Sequence, residues 1–425
     1  MSSPFGIPPR KIAGKLKPFK LHVSESELFK FRELLSLSEI GPETWWNTQN
    51  DPQFGVSHKW LTEAKETWLH SFNWREHEDY LNKFPSFKVA VDDVEAGLVT
   101  IHFAALFSTK EDAIPVVFLH GFPASFMEFL PMMQLLAEKY TPETLPYHII
   151  VPSLPDYGLS GGSTRNIEMT IAQSARIINQ LMIELGFGKG YVAQGGDLGS
   201  MLARVMSVDY KECKAFHVNM LALNPGEKPP SSKLTPGELG IFERTEAWRQ
   251  TGLAYALVHG TRQSTVGLAI SSSPLALLAW IGEKLLEWVD QREPLPLDTV
   301  LAMVSFYWFT GTFPRSLYHA ELVKSYLRGK AHPISKEKPL GYSLFAHDLA
   351  VLPKTWAEEM YPNLIFFKAH SAVSSNIANA TSPNLITNAY SQGGHFASLE
   401  RPKEFLEDIE DFLKSAHDLF QVERS

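Results

Sequence analysis

One cysteine, Cys213, stands among the 425 residues. That excludes an intrachain disulfide and any Cys-based metal cluster, and it predicts a reducing, cytoplasmic setting. No run reaches the roughly 20 apolar residues that a membrane span requires. The opening stretch MSSPFGIPPRKIAGKLKPF has no apolar core, so it does not read as a signal peptide. Positive charge is scarce too. Lys and Arg total 39 against 47 Asp and Glu, and the net charge of −8 speaks against a nucleic-acid or anionic-membrane partner. There is no His-Glu-x-x-His, no Cys/His cluster and no internal repeat, so neither metal nor organic cofactor is expected.

What is present is a globular chain, 44% hydrophobic and 20% charged, long enough for a large core. Residues 1–110 hold five of its ten tryptophans: Trp45, Trp46, Trp60, Trp68 and Trp74. VSESELFKFRELL predicts a helix with a Ser24–Glu27 capping box. FKVAVDDVEAGLVTIHFAAL predicts two strands joined by a turn. Beyond residue 110 continuous apolar runs alternate with helical periods. AIPVVFLHGFP, YHIIVPSLPDYGLSG, YVAQG and CKAFHVNMLAL read as strands, and 168–185 reads as a helix. This alternation predicts an α/β fold with a mainly parallel sheet. Pro/Gly/Ser-rich NPGEKPPSSKLTPGE then opens a stretch of helical pattern that RGKAHPISKEKP closes. LGYSLFA and NLIFFKA resume the strands, and a helix over 402–420 ends the chain. The expected plan is an N-terminal wrapping region (1–110), a core in two parts (111–225 and 336–425) and an inserted helical cap (226–335).

The chemistry centres on YVAQGGDLGSMLARV, residues 191–205. A strand enters a glycine turn and leaves as a helix, the outline of the G-x-S-x-G nucleophile elbow, with Asp197 in place of serine. Serine attacking a saturated carbon would form an ether that water cannot readily cleave. A carboxylate forms an ester, which an activated water can hydrolyse. Asp197 therefore points to an electrophilic saturated carbon, as in an epoxide or an alkyl halide. The upstream HGFP loop and the residue after the nucleophile would supply the oxyanion-hole N–H groups of Phe122 and Leu198. Chain order then asks for an acid followed by a histidine. SLFAHDLAVLP offers Asp348 and QGGHFASLERP offers His395. His120 reads as a structural hydrogen-bonder, His347 as bystander surface and Asp156 as a turn residue.

Taken together, the HGFP loop, QGGDLGS, FAHDL and GGHFASLERP resemble the α/β-hydrolase epoxide hydrolases, in particular soluble relatives of the microsomal type. The Trp-rich N-terminal region and the cap stretches GLAYALVHGTRQSTVGLAISSSPLALLAWIGEKLLEWVD and YWFTGTFPRS are similar to that group as well. The resemblance implies an α/β-hydrolase fold, with Asp197 as nucleophile, His395 as the base for water, Asp348 as its orienting acid and Tyr255 as a cap phenol holding the epoxide oxygen. It implies an epoxide and water as the reacting partners and a vicinal diol as product; the apolar cap predicts a lipophilic substrate, and a homodimer is the assembly expected. Dehalogenases of this fold carry Trp after the nucleophile and Asn in the oxyanion loop. Leu198 and Phe122 stand there instead, which disfavours a halide.

Two departures from the family pattern stand out. Its second cap tyrosine falls at Ala320; Tyr318, two residues earlier, lies about 200° around a helix and is expected to face elsewhere. Residues 371–391 form an uncharged Ser/Asn/Ala-rich insert before His395. These departures leave two alternatives open: a catalytically impaired binder of an apolar ligand, and a biosynthetic enzyme in which a substrate hydroxyl opens the epoxide.

Overall fold

The uninterrupted apolar runs become strands with few exposed residues, as a parallel sheet covered by helices on both faces requires. The computed structural model describes residues 4–9, 16–49, 51–224, 227–321, 324–325, 332–370 and 393–416. Its strands are β1 (Lys17–Phe19), β2 (Ser86–Asp93), β3 (Gly97–Leu106), β4 (Ile114–Leu119), β5 (Tyr147–Pro152), β6 (Tyr191–Gly195), β7 (Cys213–Val218), β8 (Leu340–Leu344) and β9 (Leu364–Ala369). They form one sheet in the order β1-β2-β3-β5-β4-β6-β7-β8-β9. The chain from β4 onward pairs in parallel. The first three strands pair antiparallel, and β3 joins β5 antiparallel. β4 and β6 are neighbours near the middle, so the loops leaving their C-terminal ends meet above the sheet, where open α/β sheets bind ligands.

Before β2 come α1 (Glu25–Leu37), α2 (His58–His70) and α3 (Trp74–Leu81). The capping box of α1 is formed: Glu27 N–H donates to Ser24 Oγ at 3.2 Å, and Ser24 N–H donates to Glu27 Oε2 at 3.1 Å. The core helices are α4 (Leu130–Lys139), α5 (Ile171–Met182) and α6 (Asp197–Asp209). The helix expected over 168–185 begins at Ile171, the first residue of its apolar period. Thr170 caps α5, with its side chain accepting from Gln173 N–H, and Gly186 at φ 86° breaks the wide turn that follows.

Between β7 and β8 lie α7 (Pro236–Thr251), α8 (Ala254–Thr261), α9 (Gln263–Ile270), α10 (Pro274–Glu287) and α11 (Leu297–Thr310), then the tight turn Leu317–Ala320. No single helix among the described residues is long and apolar enough to cross a membrane; α9 and α10 pass that test only as a pair, bent by 114°. The chain ends through α12 (Lys354–Met360), α13 (Ala397–Glu400) and α14 (Pro402–Ser415). The insert 371–391 and Phe420, expected in the last helix, lie outside the described residues.

Two tryptophans of the N-terminal region fasten it to α11. Trp68 Nε1–H donates to Ser305 Oγ on α11 at 3.0 Å, and the Trp74 ring packs 4.9 Å from Phe309. On the core side, Arg176 of α5 clasps Asp93 at the end of β2 through Nε (2.6 Å) and Nη2 (3.0 Å).

Candidate active site

The GGDLG turn is built by close approach. A methyl on Gly199 would overlap the Leu119 carbonyl at the end of β4, and one on Gly195 would overlap the Gly199 carbonyl. Only glycine lets strand, helix and neighbouring strand come so near. Asp197 sits at the turn with φ 46°, in the left-handed region that non-glycine residues seldom occupy. Such strain lifts its carboxylate above the sheet. A side chain on Gly121 would overlap that carboxylate, so the oxyanion loop can lie against it.

Phe122 N–H donates to Asp197 Oδ1 at 2.8 Å. The Leu198 N–H also bonds the carboxylate and helps to lower its pKa. The other oxygen, Oδ2, faces His395 Nε2 at 3.4 Å. His395 Nδ1 bonds Asp348 Oδ1 at 2.7 Å, and Leu349 N–H donates to that same oxygen at 2.6 Å. Asp348 follows β8, and His395 stands just before α13. Distant parts of the chain thus bring Asp197, Asp348 and His395 to one point.

Burial opposes charge on every one of these groups, and their mutual attraction decides the outcome. Burial would lower the imidazole pKa, but the Asp348 and Asp197 carboxylates raise His395 to about 10. Burial would raise Asp197, yet His395 and the two N–H groups hold it below the ordinary carboxylate value. Burial keeps Asp348 above that value, against the pull of His395.

A cavity of about 120 Å³ opens from Asp197 toward the cap, lined mostly by apolar groups that include Leu198, Met201, Met220, Leu253 and Tyr255. The Tyr255 ring lies nearly parallel to that of Phe122, with centroids 5.8 Å apart. Burial and the Asp197 charge both raise its phenol well above the usual value, so it stays protonated and able to donate. Tyr318 faces elsewhere: its hydroxyl donates to Pro155 O at 3.0 Å and pairs with Ser174 Oγ at 3.2 Å. Ala320 is buried beside Gly260 of α8, and a methyl on that glycine would come within 3.5 Å of the Ala320 carbonyl.

His120 fills the role read for it, with Nε2 accepting from Leu154 N–H at 3.1 Å. Asp156 is a turn residue at φ 64°. His347 is not bystander surface. It is half-buried, its N–H donates to Gly393 O at 3.0 Å, and its Nε2 meets Arg292 Nη2 at 3.1 Å. The loop that presents His395 folds back on β8's exit, and His347 braces it there.

Several site residues gave no sequence signal. Trp288 accepts His395 N–H on its carbonyl at 2.9 Å and sets its ring 5.3 Å from the imidazole. His319 and His259 bond each other at 3.0 Å over Phe122. Glu128, in the turn after the HGFP loop, is buried beside Asp197 and His395. Tryptophan and histidine are ordinary in cores, a buried glutamate is not, and only folding brings any of them to the site.

A sheet of this order, with a strand–glycine turn–helix near its middle, is that of an α/β hydrolase. Comparison with known proteins narrows the class. Residues 16–129 match the family described as "Epoxide hydrolase N terminus", and residues 114–257 match "alpha/beta hydrolase fold". An Aspergillus niger epoxide hydrolase structure is 42% identical with a TM-score of 0.85, covering 96% of this chain and 99% of its own. A Dothistroma septosporum protein provisionally named an epoxide hydrolase is 41% identical, covering 95% of this chain and 90% of its own. Epoxide hydrolase 1 of Sus scrofa is 26% identical, over 94% and 88%. The chain belongs to the epoxide hydrolase family, and it is an epoxide hydrolase with an α/β-hydrolase fold.

Proposed function

We propose that the chain converts a lipophilic epoxide to a vicinal diol through an ester on Asp197. The observation that carries this reading is the split environment of the carboxylate. Oδ1 is occupied by the Phe122 N–H at 2.8 Å, Oδ2 faces His395 Nε2 at 3.4 Å, and the residue also lines the apolar cavity. Oδ2 attacks a ring carbon, the carbon–oxygen bond of the ring breaks, and Tyr255 donates to the departing alkoxide. Oδ1 becomes the ester carbonyl and already sits in the oxyanion hole. A water then gives a proton to His395 and attacks the Asp197 carbonyl carbon. Negative charge gathers on Oδ1 against the N–H groups of Phe122 and Leu198. Collapse releases the former Oδ2 as the second diol oxygen, which takes the proton from His395; the hydroxyl proton left on Asp197 replaces the one that Tyr255 gave to the ring oxygen, so both protons of the water end on the diol.

In this reading Asp348 holds the imidazole in register, as its 2.7 Å contact permits. The mostly apolar cavity favours a lipophilic substrate. The contacts among Asp197, His395 and Asp348 run against a silent binder, which needs no aligned base. We also keep the cytoplasmic setting, argued from the single buried cysteine, and a homodimer as the assembly to test by sedimentation.

The test is a single turnover with an aryl epoxide in ¹⁸O-water, followed by mass analysis of the Asp197 peptide. Label in the Asp197 carboxylate, and an unlabelled oxygen passed to the diol, are expected. A first-turnover diol whose new oxygen comes wholly from solvent overturns the ester.

A further inference from the structure

Asp197 separates two cavities. One is the apolar cavity beneath Tyr255. The other, of about 10 Å³, lies among Gly121, Glu128, Asp197, Asn219, His395 and Ser398. It has room for about one water and offers that water several polar partners. Gln194 Nε2–H donates to Asn219 Oδ1 at 3.0 Å, which leaves the Asn219 amide hydrogens for the cavity.

Glu128 is the unexplained member of this group. It is buried in the short turn Phe126–Phe129, and no Lys or Arg pairs with it among the described residues. Ser398 Oγ donates to its Oε2 at 3.3 Å, and the Gly121 N–H also reaches the carboxyl. A lone carboxyl in such a place is costly unless its hydrogen bonds are used. Burial raises it to about 8; His395 pulls it down and Asp197 pushes it up.

We propose that Glu128 is the positioning residue for the hydrolytic water, which it holds in the small cavity between His395 and the Asp197 carbonyl carbon. This rests on the ester reading above. One hydrogen of the water points at His395 Nε2 and leaves with it. The other is donated to a Glu128 oxygen, which fixes the lone pair on the carbonyl carbon. Substrate enters from the opposite cavity, so the water need not be displaced when the ester forms. An acceptor oxygen suffices for this task, so a glutamine at 128 preserves much of it.

The experiment follows both steps by rapid mixing with an aryl epoxide and quenching for the covalent ester, on the full chain. In Glu128→Ala the ester should form within about threefold of the normal rate and hydrolyse roughly 10- to 100-fold more slowly, the loss of one or two hydrogen bonds to a positioned water. Glu128→Gln should recover most of the hydrolysis rate. The inference is overturned if Glu128→Ala hydrolyses the ester normally, if both steps fall together, or if Glu128→Gln is as slow as Glu128→Ala. Should Glu128→Ala fail to fold, Glu128→Met, which keeps the volume without the acceptor oxygen, carries the test beside Glu128→Gln: ester hydrolysis slowed roughly 10-fold or more in the first and near normal in the second is expected, and equal hydrolysis rates in the two overturn the proposal. If His395→Gln traps no ester under the same conditions, the ester reading itself has failed, and that outcome is distinct from the others.

Discussion

The imidazole of His319 lies face to face with the Phe122 ring, centroids 4.1 Å apart and planes 18° from parallel. Phe122 carries the N–H that meets the carboxylate, so a cap histidine presses on the oxyanion loop from above. Hydrogen bonds fix the state of that histidine. Trp280 Nε1–H donates to His259 Nε2 at 3.0 Å. His259 must then donate from Nδ1 to His319 Nε2, and His319 from Nδ1 to Ser316 O at 2.9 Å. Both rings are neutral. Burial lowers His259 to about 2 and His319 to about 4.

His319→Ala should therefore strand the buried donor of His259 and unsupport Phe122. We expect a loss of about 1–3 kcal/mol in urea unfolding, with His319→Gln, which keeps an acceptor, losing less. Below the ordinary histidine pKa the unfolded chain binds protons that these folded rings refuse. Their contribution to stability thus weakens as pH falls from about 6.5 toward 4. Equal unfolding midpoints for wild type and His319→Ala at pH 7.5 would refute the relay.

A second outcome concerns pH and the two chemical steps. In the resting site Asp348 and Asp197 hold His395 as an imidazolium, with a pKa raised to about 10. In the proposed ester route, esterification removes the Asp197 charge, so the imidazole pKa falls and the neutral base emerges when water is needed. Alkylation should be flat across neutral pH and decline only as Asp197 protonates, below the ordinary Asp value. Hydrolysis should decline earlier on acidification, as the ester-state imidazole keeps its proton. The steady-state ester should thus grow as pH is lowered from 8 to 6. Stopped-flow fluorescence can report it, because the Trp288 ring lies 5.3 Å from His395. An ester fraction that shrinks toward acid would contradict this linkage.

Much of this site was legible in the sequence. The strand–glycine–helix pattern gave Asp197, and chain order gave Asp348 and His395, because elbow chemistry is local and its partners sit at strand ends. The strands were legible because buried parallel strands are continuous apolar runs. Tyr318 turned away as a helical register required, although its segment is a tight turn. Glu128, His259, His319 and Trp288 were not legible. Their roles depend on the cap lying over β4 and β6, a contact with no sequence period. His347 failed for the same reason: the loop that covers it comes from residues 393 and 394.

The third outcome tests how the N-terminal region is fastened. Asp93 takes two hydrogen bonds from Arg176 and one each from the N–H groups of Glu95 (3.0 Å) and Ala96 (2.7 Å). The Arg176 bonds, chiefly, overcome burial and lower Asp93 to about 2. Relative to an unfolded value near 3.9 that is about 2–3 kcal/mol. The contribution is present in full above the unfolded pKa and is lost as pH falls through the folded one. Asp93→Asn should lower stability by about that amount at pH 7. The difference from wild type should shrink on acidification toward pH 2. A difference that stays constant with pH would trace the loss to something other than charge.

The last outcome separates the two phenols. Tyr255 stands at the mouth of the apolar cavity beside Asp197, whereas Tyr318 spends its hydroxyl on Pro155 O and Ser174 Oγ. Ala320, which is 1% exposed and backed by Gly260, offers no phenol at the position expected for the second donor. A single donor polarises the epoxide less than two would. Alkylation should consequently favour styrene-oxide-like rings, whose benzylic carbon shares the developing charge, over unactivated ones. Tyr255→Phe should slow alkylation by about 10²-fold, the typical loss for one oxyanion donor in a dry site. Tyr318→Phe should leave the alkylation rate near normal and lower stability by about 1 kcal/mol through its lost hydrogen bonds. Ala320→Tyr should overpack the cap and destabilise by about 1–3 kcal/mol. Rapid-quench rates and urea unfolding of the three variants decide the matter. If Tyr318→Phe slows alkylation as much as Tyr255→Phe does, the cap supplies two donors in the working enzyme, and the preference for benzylic epoxides loses its basis.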